Sequence, residues 1–350
     1  MTTTRAMRLA AAASTAYQRV FATSRVAPLL SRPRPVRRSG YELELTVQAV
    51  RAEADDVVSV VLAAPDGGPL PTWIPGAHLD VFLPSGRQRQ YSLCGAPGDR
   101  SSYRIAVRRI DGGEGGEGGS REIHDTVHAG GTLRVRGPRN AFPLAAADAY
   151  LFVAAGIGIT PILPMVRTCH DQGVPWRLVY LGRSRASMPF LGELAAFDSG
   201  TVEIRPDDEC GPPSLGDILP LAPDGAAVYL CGPPPLMRPA RDLLRASNPR
   251  ASLHTERFSP LPVSGGAPFE IFLRRTGVTV EVGPGETALT AIGRVADVPY
   301  SCRQGFCGTC KVRVLDGDVE HRDRLLAPAD RRDSMLLCVS RATGRLVIDR

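Results

Sequence analysis

The sequence has 350 residues, 43% of them hydrophobic, and no stretch approaches the roughly 18 consecutive apolar residues of a membrane-spanning helix. The length predicts two or three domains, because it exceeds one typical hydrophobic core. The net charge of +6 arises in residues 1–40, which contain eight arginines and no acid; without them, 34 basic residues face 36 acidic ones. The near-neutral remainder argues against a nucleic-acid binder.

The number and spacing of the cysteines indicate the cellular compartment of the protein. Four of the eight cysteines occur singly in the first 240 residues and four fall in the last 50. Buried single thiols with one cluster are typical of intracellular proteins, whereas secreted disulfide proteins space their cysteines as a framework. We therefore expect a cytoplasmic protein, and we expect a monomer.

The first segment, residues 1–40, has three interpretations that the sequence leaves open. A helix over about residues 5–23 would place apolar side chains on one face, suiting a membrane surface or a partner. The Arg- and Ala-rich, acid-free composition also fits a transit peptide. The third interpretation is a weakly ordered extension that ends in the linker SRPRPVRRSG.

Residues 41–144 are predicted to form a small antiparallel barrel. Six short strand patterns follow one another without intervening helices and are separated by Gly, Pro and Asp turns. Arg89, Tyr91 and Ser92, in the strand RQYSL, offer a phosphate partner, a ring for stacking and a hydroxyl for the edge of a flavin. The insert GEGGS at 116–120 presents glycine N–H groups before a helical turn that we expect Ser120 to cap, a suitable phosphate site.

Residues 145–258 alternate strands and helices, which predicts a parallel sheet with helices on both faces. In AAGIGITP, Gly156 and Gly158 allow close backbone approach, Thr160 is a candidate cap and Pro161 suits the first helical position. This pattern is a pyrophosphate cradle at a helix N-terminus, although its glycine spacing differs from the Rossmann fingerprint.

The turn CGP at 231–233 ends the fourth strand of this segment, where parallel sheets bind ligands. Cys231 is therefore placed near a nicotinamide ring, with Gly232 and Pro233 as further nucleotide contacts. A small buried thiol is the alternative interpretation of Cys231.

A linker is predicted at 259–268, followed by a small α+β domain over 269–350 with a helix that Thr287 caps. Four cysteines in this domain are spaced x4, x2 and then 27 residues apart: Cys302, Cys307, Cys310 and Cys338. This is the spacing of plant-type [2Fe–2S] sites. Zinc and disulfides fit less well, because zinc sites draw two close ligand pairs from separate knuckles.

Taken together, these motifs carry a family resemblance. The last 85 residues resemble plant-type ferredoxins, which have a β-grasp fold. The motifs RxYS, GIGITP and CGPxPLM, in that order over residues 41–258, resemble the ferredoxin-NADP reductase superfamily. The order flavin, nicotinamide, iron–sulfur, with GGSREIH and GPRNAFPL, resembles the phthalate dioxygenase reductase and vanillate demethylase reductase family.

The resemblance implies FMN, NADH and a [2Fe–2S] cluster as cofactors, and a Rieske-type oxygenase component as electron acceptor. It implies flavin-binding roles for these positions: Arg89, Tyr91, Ser92, Ala106, Val107, Gly118, Gly119 and Ser120. The reacting ends of the cofactors would meet near Ser92 and Cys231. Glu117 departs from the family, which commonly carries an arginine before GGS, and weakens the expected phosphate affinity.

Two other functions would use some of the same predicted cofactor sites. A reductase with FAD could serve a cytochrome P450 or a diiron monooxygenase, and a non-catalytic redox sensor could signal through the basic leader. Arg183 and Arg185, after the second strand of the nucleotide-binding segment, could meet the 2′-phosphate of NADPH. We choose NADH and expect the acceptor to dock on Arg303, Gln304 and Phe306.

Overall fold

The computed structural model describes residues 41–110 and 118–350, whose strands form three sheets. The expectations for the leader and for Glu117 lie outside these residues. The sheets span residues 41–140, 150–256 and 269–348, so they fall within the three predicted domains, whose exact limits stay predictions. Among the described residues, no helix is long and apolar enough to cross a membrane.

The first sheet confirms the antiparallel six-stranded barrel. Its strands are β1 (Tyr41–Ala54), β2 (Val57–Ala63), β3 (Ala77–Phe82), β4 (Gln88–Ser92), β5 (Tyr103–Arg108) and β6 (Thr132–Asn140), and the helix α1 (Gly119–Thr126) precedes β6. The order is β4-β3-β6-β1-β2-β5, and every pair is antiparallel. A bridge between Leu93 and Ile105 joins the two edge strands and closes the barrel.

Side-chain alternation explains why this segment forms a barrel. In β1, Leu45 and Val47 are buried, whereas Glu42 and Glu44 between the apolar positions are exposed. Because successive strand residues point to opposite faces, this pattern lines a barrel interior with apolar side chains.

The second sheet confirms the parallel α/β segment. Its strands are β7 (Tyr150–Ala155), β8 (Trp176–Gly182), β9 (Thr201–Pro206), β10 (Ala227–Cys231) and β11 (Ser252–Glu256), and its helices are α2 (Ile159–Gln172), α3 (Leu191–Leu194), α4 (Asp207–Cys210), α5 (Leu215–Ile218), α6 (Pro234–Met237) and α7 (Ala240–Ser247). All strands are parallel, in the order β11-β10-β7-β8-β9. Helix α2 packs on one face, and α5 and α7 pack on the other.

Two helices of this segment are shorter than their sequence patterns predict. The pattern over 188–197 gives only the four-residue α3, and the pattern over 235–246 breaks into α6 and α7. Pro239 lies at the break, where its missing N–H and fixed φ interrupt a continuous helix.

The third sheet has the β-grasp arrangement expected of a ferredoxin. Its strands are β12 (Phe269–Leu273), β13 (Val278–Val282), β14 (Lys311–Glu320), β15 (Ser334–Leu336) and β16 (Arg341–Ile348), and its helix is α8 (Ala288–Ile292). The strand order is β13-β12-β16-β14-β15, with β12 and β16 parallel. Thr287 caps α8 as predicted, because its hydroxyl accepts the backbone N–H of Thr290. The short β15 was not predicted.

Candidate functional site

A cavity of about 960 Å³ opens between the three sheets. The barrel contributes Arg89 and Ser92 to its lining, the nucleotide-binding segment contributes Glu256 and Phe258, and the cluster loop contributes Cys302. This volume lies within the range of small-molecule and cofactor sites. The sequence-predicted flavin, nucleotide and cluster motifs therefore converge on one space.

Arg89 on β4 connects the two halves of the predicted phosphate site. Its Nη1 donates to the carbonyl of Gln88 at 2.9 Å. A Cβ atom added at Gly119 would lie only 2.8 Å from Cγ and Nε of Arg89, so only glycine fits here. Gly118, just before helix α1, has φ of 81°, a conformation that glycine adopts at little cost. The strand RQYSL and the GGS turn therefore meet at the Arg89 guanidinium, which is the donor set that a phosphate requires.

The prediction that Ser120 caps the helical turn is wrong. The N-cap of α1 is Gly118, and Ser120 lies within the first turn. Its hydroxyl instead accepts the backbone N–H of Ile110 at 3.1 Å. Ser120 thereby ties the helix start to the end of β5.

The other residues predicted to bind the flavin differ in whether their side chains reach the cavity or pack into a hydrophobic core. Ser92 is 5% exposed and lines the cavity. Tyr91 is half-buried beside Arg89, and burial raises the pKa of its hydroxyl. Ala106 and Val107 pack their side chains into the hydrophobic cores, so only their backbone atoms can face a cofactor.

Gly158 and Cys231 bring the two nucleotide motifs together. A Cβ atom at Gly158 would lie 2.3 Å from the carbonyl oxygen of Cys231. Gly156 has φ of 54° and forms a single 3₁₀ turn with Gly158 before α2 begins at Ile159. The close approach therefore depends on glycine at position 158.

The prediction that Thr160 caps this helix, with Pro161 first, is wrong. Helix α2 begins at Ile159 after Gly158, and the Thr160 hydroxyl donates to the carbonyl of Ile157 at 2.9 Å. The 3₁₀ turn that precedes it starts at Gly156, so α2 itself begins two residues before Pro161. Thr160 is 2% exposed and Gly232 and Pro233 follow β10 directly, so these residues stay candidates for nucleotide contact.

Glu256 is a site residue that the sequence motifs missed. It stands at the carboxyl end of β11, opposite Cys231 in the parallel register. Its Oε2 is buried without a hydrogen-bond partner among the described residues, and burial raises its pKa to about 8. Burial, with the nearby Glu256, also raises the pKa of the fully buried Cys231 well above its ordinary value. At neutral pH the cavity wall therefore carries the protonated carboxyl of Glu256, and the thiol of Cys231, buried beside it, is neutral.

His78 on β3 is a second missed residue. Burial, reinforced by Arg139, lowers its pKa to about 4, so the ring is neutral at pH 7. The buried carboxylate of Asp80 pairs with Arg136 and Arg139 beside it. A lone histidine within a strand pattern gives no signal of a cavity, but Glu256 in LHTERF stands at a predicted strand end, where polar residues of parallel sheets face ligands.

The four cysteines of the last domain form two pairs. The Cys302 thiol interacts with that of Cys307, and the Cys310 thiol with that of Cys338. Those contacts raise the pKa of Cys302 and lower that of Cys307. Among the described residues, no three His, Cys, Asp or Glu side chains surround a single-ion position. Two adjacent thiol pairs suit a two-iron cluster, in which each iron takes two cysteines.

Positive φ angles at three positions shape the loop that carries three of these cysteines: Arg303 (55°), Gly305 (79°) and Gly308 (80°). They turn backbone N–H groups toward sulfur, as in the 3.3 Å contact from Gln304 N to Cys302 Sγ. The backbone N–H of Gly305 lowers the pKa of the Cys338 thiol, although its other neighbours raise it. Hydrogen bonds of this kind tune the potential of an iron–sulfur cluster.

The sequence HRD at 321–323 braces this loop. The buried carboxylate of Asp323 accepts the backbone N–H groups of Leu325 at 3.1 Å and Leu326 at 2.7 Å. The N–H of Arg324 donates to the carbonyl of Gly305 at 3.0 Å. HRD is therefore a structural part of the ferredoxin domain.

The three residues predicted to meet the acceptor take different positions. Gln304 Nε2 donates to the carbonyl of Arg257 at 2.8 Å, and the Phe306 ring lies 6.4 Å from His78, edge-on. Both line the cavity. Arg303 is half-buried over the Tyr300 ring. Gln304 and Phe306 thus contact other parts of the chain, and their role in docking an acceptor stays a prediction.

The two arginines predicted to contact a 2′-phosphate, Arg183 and Arg185, lie beside acidic residues. Arg185 Nε contacts both carboxylate oxygens of Glu209, at 2.8 and 3.1 Å. The carbonyl of the exposed Arg183 accepts the N–H of Asp208 at 3.2 Å. The carboxyl end of β8 thus faces the acidic start of α4.

Comparisons with known proteins agree with this arrangement. The family model described as a 2Fe-2S iron-sulfur cluster binding domain matches residues 271–343. The chain is 39% identical over 321 residues to the toluene-4-sulfonate monooxygenase system reductase subunit of Comamonas testosteroni, covering 88% of this chain and 99% of that one. It is 34% identical to phthalate dioxygenase reductase of Burkholderia cepacia, covering 88% and 97%. A solved structure of phthalate dioxygenase reductase, described as a modular structure for electron transfer from pyridine nucleotides to [2Fe–2S], matches with a TM-score of 0.64 over 88% of this chain and 98% of that one.

The buried Glu256 predicts a pH-dependent stability difference. Its folded pKa of about 8 lies above the ordinary 4.5, so the folded state retains a proton that the unfolded chain releases. Stability is then lost as pH rises from about 5 to 8. Relative to Glu256→Gln, the wild-type melting temperature should fall by about 3 °C or more over that range. Glu270→Gln, at an exposed position of β12, is the control; an equal offset at all pH values would contradict the prediction.

Proposed function

This chain belongs to the phthalate dioxygenase reductase family of flavin and iron–sulfur oxidoreductases, and we propose that it passes electrons from NADH through FMN and a [2Fe–2S] cluster to an oxygenase component. The observation that carries the proposal is the single cavity that Arg89, Ser92, Glu256 and Cys302 line together. Residues of the predicted flavin and cluster sites thus share one space with Pro234 and Met237 of the motif CGPxPLM. We name an oxygenase component as the electron acceptor because the relatives named above are reductases of oxygenase systems.

The residues present fit the implied cofactors. Arg89 against Gly119 at the start of α1 would hold the FMN phosphate, and the Ser92 hydroxyl would meet the flavin ring. The two thiol pairs would hold the cluster. A bound flavin would supply the conversion between a two-electron hydride donor and a one-electron acceptor.

The chain's own groups would position the reacting parts and exclude water. Gly158 and Cys231 bring the start of α2 against the end of β10, which would hold the dinucleotide at the carboxyl edge of the sheet. The protonated Oε2 of Glu256 would hold a proton at the edge of the cavity where Ser92 also lies. Both features orient a nicotinamide toward the barrel.

NADH is favoured over NADPH by the charges at the end of β8. Arg185 is engaged by Glu209, and Asp207 and Asp208 lie beside it. Carboxylates at this position suit a ribose 2′-hydroxyl, whereas a 2′-phosphate needs an arginine that is not already paired with an acid. Arg183 is the remaining cation of this edge that we assign to nucleotide contact.

The acceptor would meet the outer side of the cluster loop. Leu325 is 46% exposed and lies against Gly308, between the ligands Cys307 and Cys310. The inner side is occupied by Gln304 and Phe306. Because Asp323 holds the backbone of Leu325, this apolar side chain has a fixed place beside the cluster ligands. We assign this face to the oxygenase component.

An anaerobic absorption spectrum before and after adding NADH tests the function. We expect flavin absorption near 450 nm with broader iron–sulfur bands in purified protein, and rapid bleaching of both by NADH. A preparation that lacks both signals would disprove the proposal. Acid release of the flavin and its mass distinguish FMN from the FAD of a P450-type reductase. Slow reduction of both centres would favour a redox sensor.

Glu209→Gln should change nucleotide preference. Loss of this carboxylate leaves Arg185 available to a 2′-phosphate, so kcat/KM for NADPH should rise roughly 2- to 5-fold while that for NADH changes less. Steady-state kinetics with both nucleotides measure the ratio. Glu203→Gln, whose carboxylate pairs with Arg205 on the same sheet, is the matched control. An unchanged ratio would refute the role of Glu209.

Leu325→Ser should weaken delivery to a protein acceptor. Loss of the apolar contact should lower kcat/KM for reduction of cytochrome c by about 3- to 10-fold, since a leucine buried only in part contributes about 0.7–1.4 kcal/mol. Reduction of the small acceptor ferricyanide should be unchanged. Leu315→Ser, with 44% exposure on β14, is the control. If both substitutions lower kcat/KM equally, Leu325 makes no specific contact with the protein acceptor.

A further inference from the structure

Tyr300 crosses from the cluster-bearing domain to the predicted phosphate site of the barrel. It precedes the cluster ligand Cys302 by two residues. Its hydroxyl lies 2.9 Å from Nη2 of Arg89, which donates to it. The same guanidinium lies over the Tyr300 ring, 4.6 Å from the centroid, within cation–π distance. One side chain therefore makes two different contacts with Arg89.

The ring of Tyr300 is anchored in its own domain. It packs against the hydrophobic core that contains the cluster ligands Cys310 and Cys338. The guanidinium of Arg303 also lies 5.5 Å from its centroid. Because the ring is held at the core and the hydroxyl reaches Arg89, a shift of the cluster-bearing domain would move the partner of Arg89.

Arg89 is anchored on the barrel side. Its Nη1 donates to the Gln88 carbonyl, and its Cγ and Nε lie against Gly119. The guanidinium thus contacts its own strand, the start of α1 and Tyr300. Each of these contacts helps to fix its orientation.

We propose that Tyr300 is a positioning residue that the ferredoxin domain contributes to the flavin phosphate site, which links FMN affinity to docking of the cluster on the barrel. The inference rests on the function proposed above. Tyr300 orients the Arg89 guanidinium for a phosphate dianion, so FMN binds more tightly when the domains are docked. Linkage is reciprocal, and FMN therefore stabilises the docked arrangement by the same factor.

The remaining contacts of this junction provide an internal control. Gln304 Nε2 donates to the Arg257 carbonyl, and Phe306 lies edge-on to His78. The Gln304 contact joins the cluster loop to the end of the nucleotide-binding segment through atoms that do not belong to Arg89. Gln304→Ala therefore loosens the junction without removing a contact of the phosphate site.

The test compares FMN binding by the full chain with its cluster retained and its flavin removed, measured by quenching of FMN fluorescence. Tyr300→Phe keeps the ring and removes the hydroxyl, so the dissociation constant should rise about 3- to 10-fold. Gln304→Ala, which loosens docking but keeps the contact between Tyr300 and Arg89, should raise it by less than Tyr300→Phe does. Glu270→Gln, at an exposed position of β12, should leave it unchanged. Visible absorbance of the cluster and far-UV circular dichroism confirm that each variant is folded.

A double-mutant cycle with Arg89→Ala distinguishes positioning from a general structural effect. If Tyr300 acts through Arg89, then Tyr300→Phe should cost little further affinity in the Arg89→Ala background. Hydrogen–deuterium exchange of residues 296–306 should show protection on adding FMN to the wild type and less protection in Tyr300→Phe. An equal loss of affinity in both backgrounds, or unchanged affinity and protection in Tyr300→Phe, would overturn the proposal. Failure of the wild type itself to bind FMN would instead overturn the proposed function.

Discussion

Close backbone approach at a few glycines holds the functional site together. Gly119 admits Arg89, Gly158 admits the carbonyl of Cys231, and Gly305 packs against Val339 and Asp323. A side chain at any of these points would collide with a neighbour at less than 3 Å. Each approach joins two segments that belong to different parts of a cofactor site, so the shape of the common cavity depends on them.

Burial then sets the chemistry inside that cavity. Desolvation keeps Glu256 protonated and Cys231 neutral, and it keeps His78 uncharged. The fixed charges of the cavity wall are therefore mainly the cations Arg89, Arg238, Arg257 and Arg324, and Arg89 lies at the predicted phosphate end. The same cavity provides a polar anchor and uncharged buried groups, as cofactor sites commonly do.

Polar contacts contribute to the junction between the cluster-bearing domain and the other two segments. They include the Tyr300–Arg89 and Gln304–Arg257 hydrogen bonds, and the rings of Phe306 and His78 meet beside them. Junctions of this kind permit relative motion of domains. A link between cofactor occupancy and docking would then place the cluster near the flavin when both are bound.

The sequence alone determined the three folds, the order of the motifs and the four cluster cysteines, because spacing along the chain and side-chain periodicity are local properties. It also placed Arg89 and Ser92 at the predicted flavin site and Thr287 at its helix cap. It did not determine the start of α1 and α2, where neighbouring turns rather than Ser120 and Thr160 supply the caps.

Only the tertiary structure decided which way the cluster loop faces. Gln304 bonds to a residue 47 positions away and Tyr300 to one 211 positions away, and Glu256 is buried by neighbours from other strands. No local pattern encodes such contacts, because they arise when separately folded segments pack together.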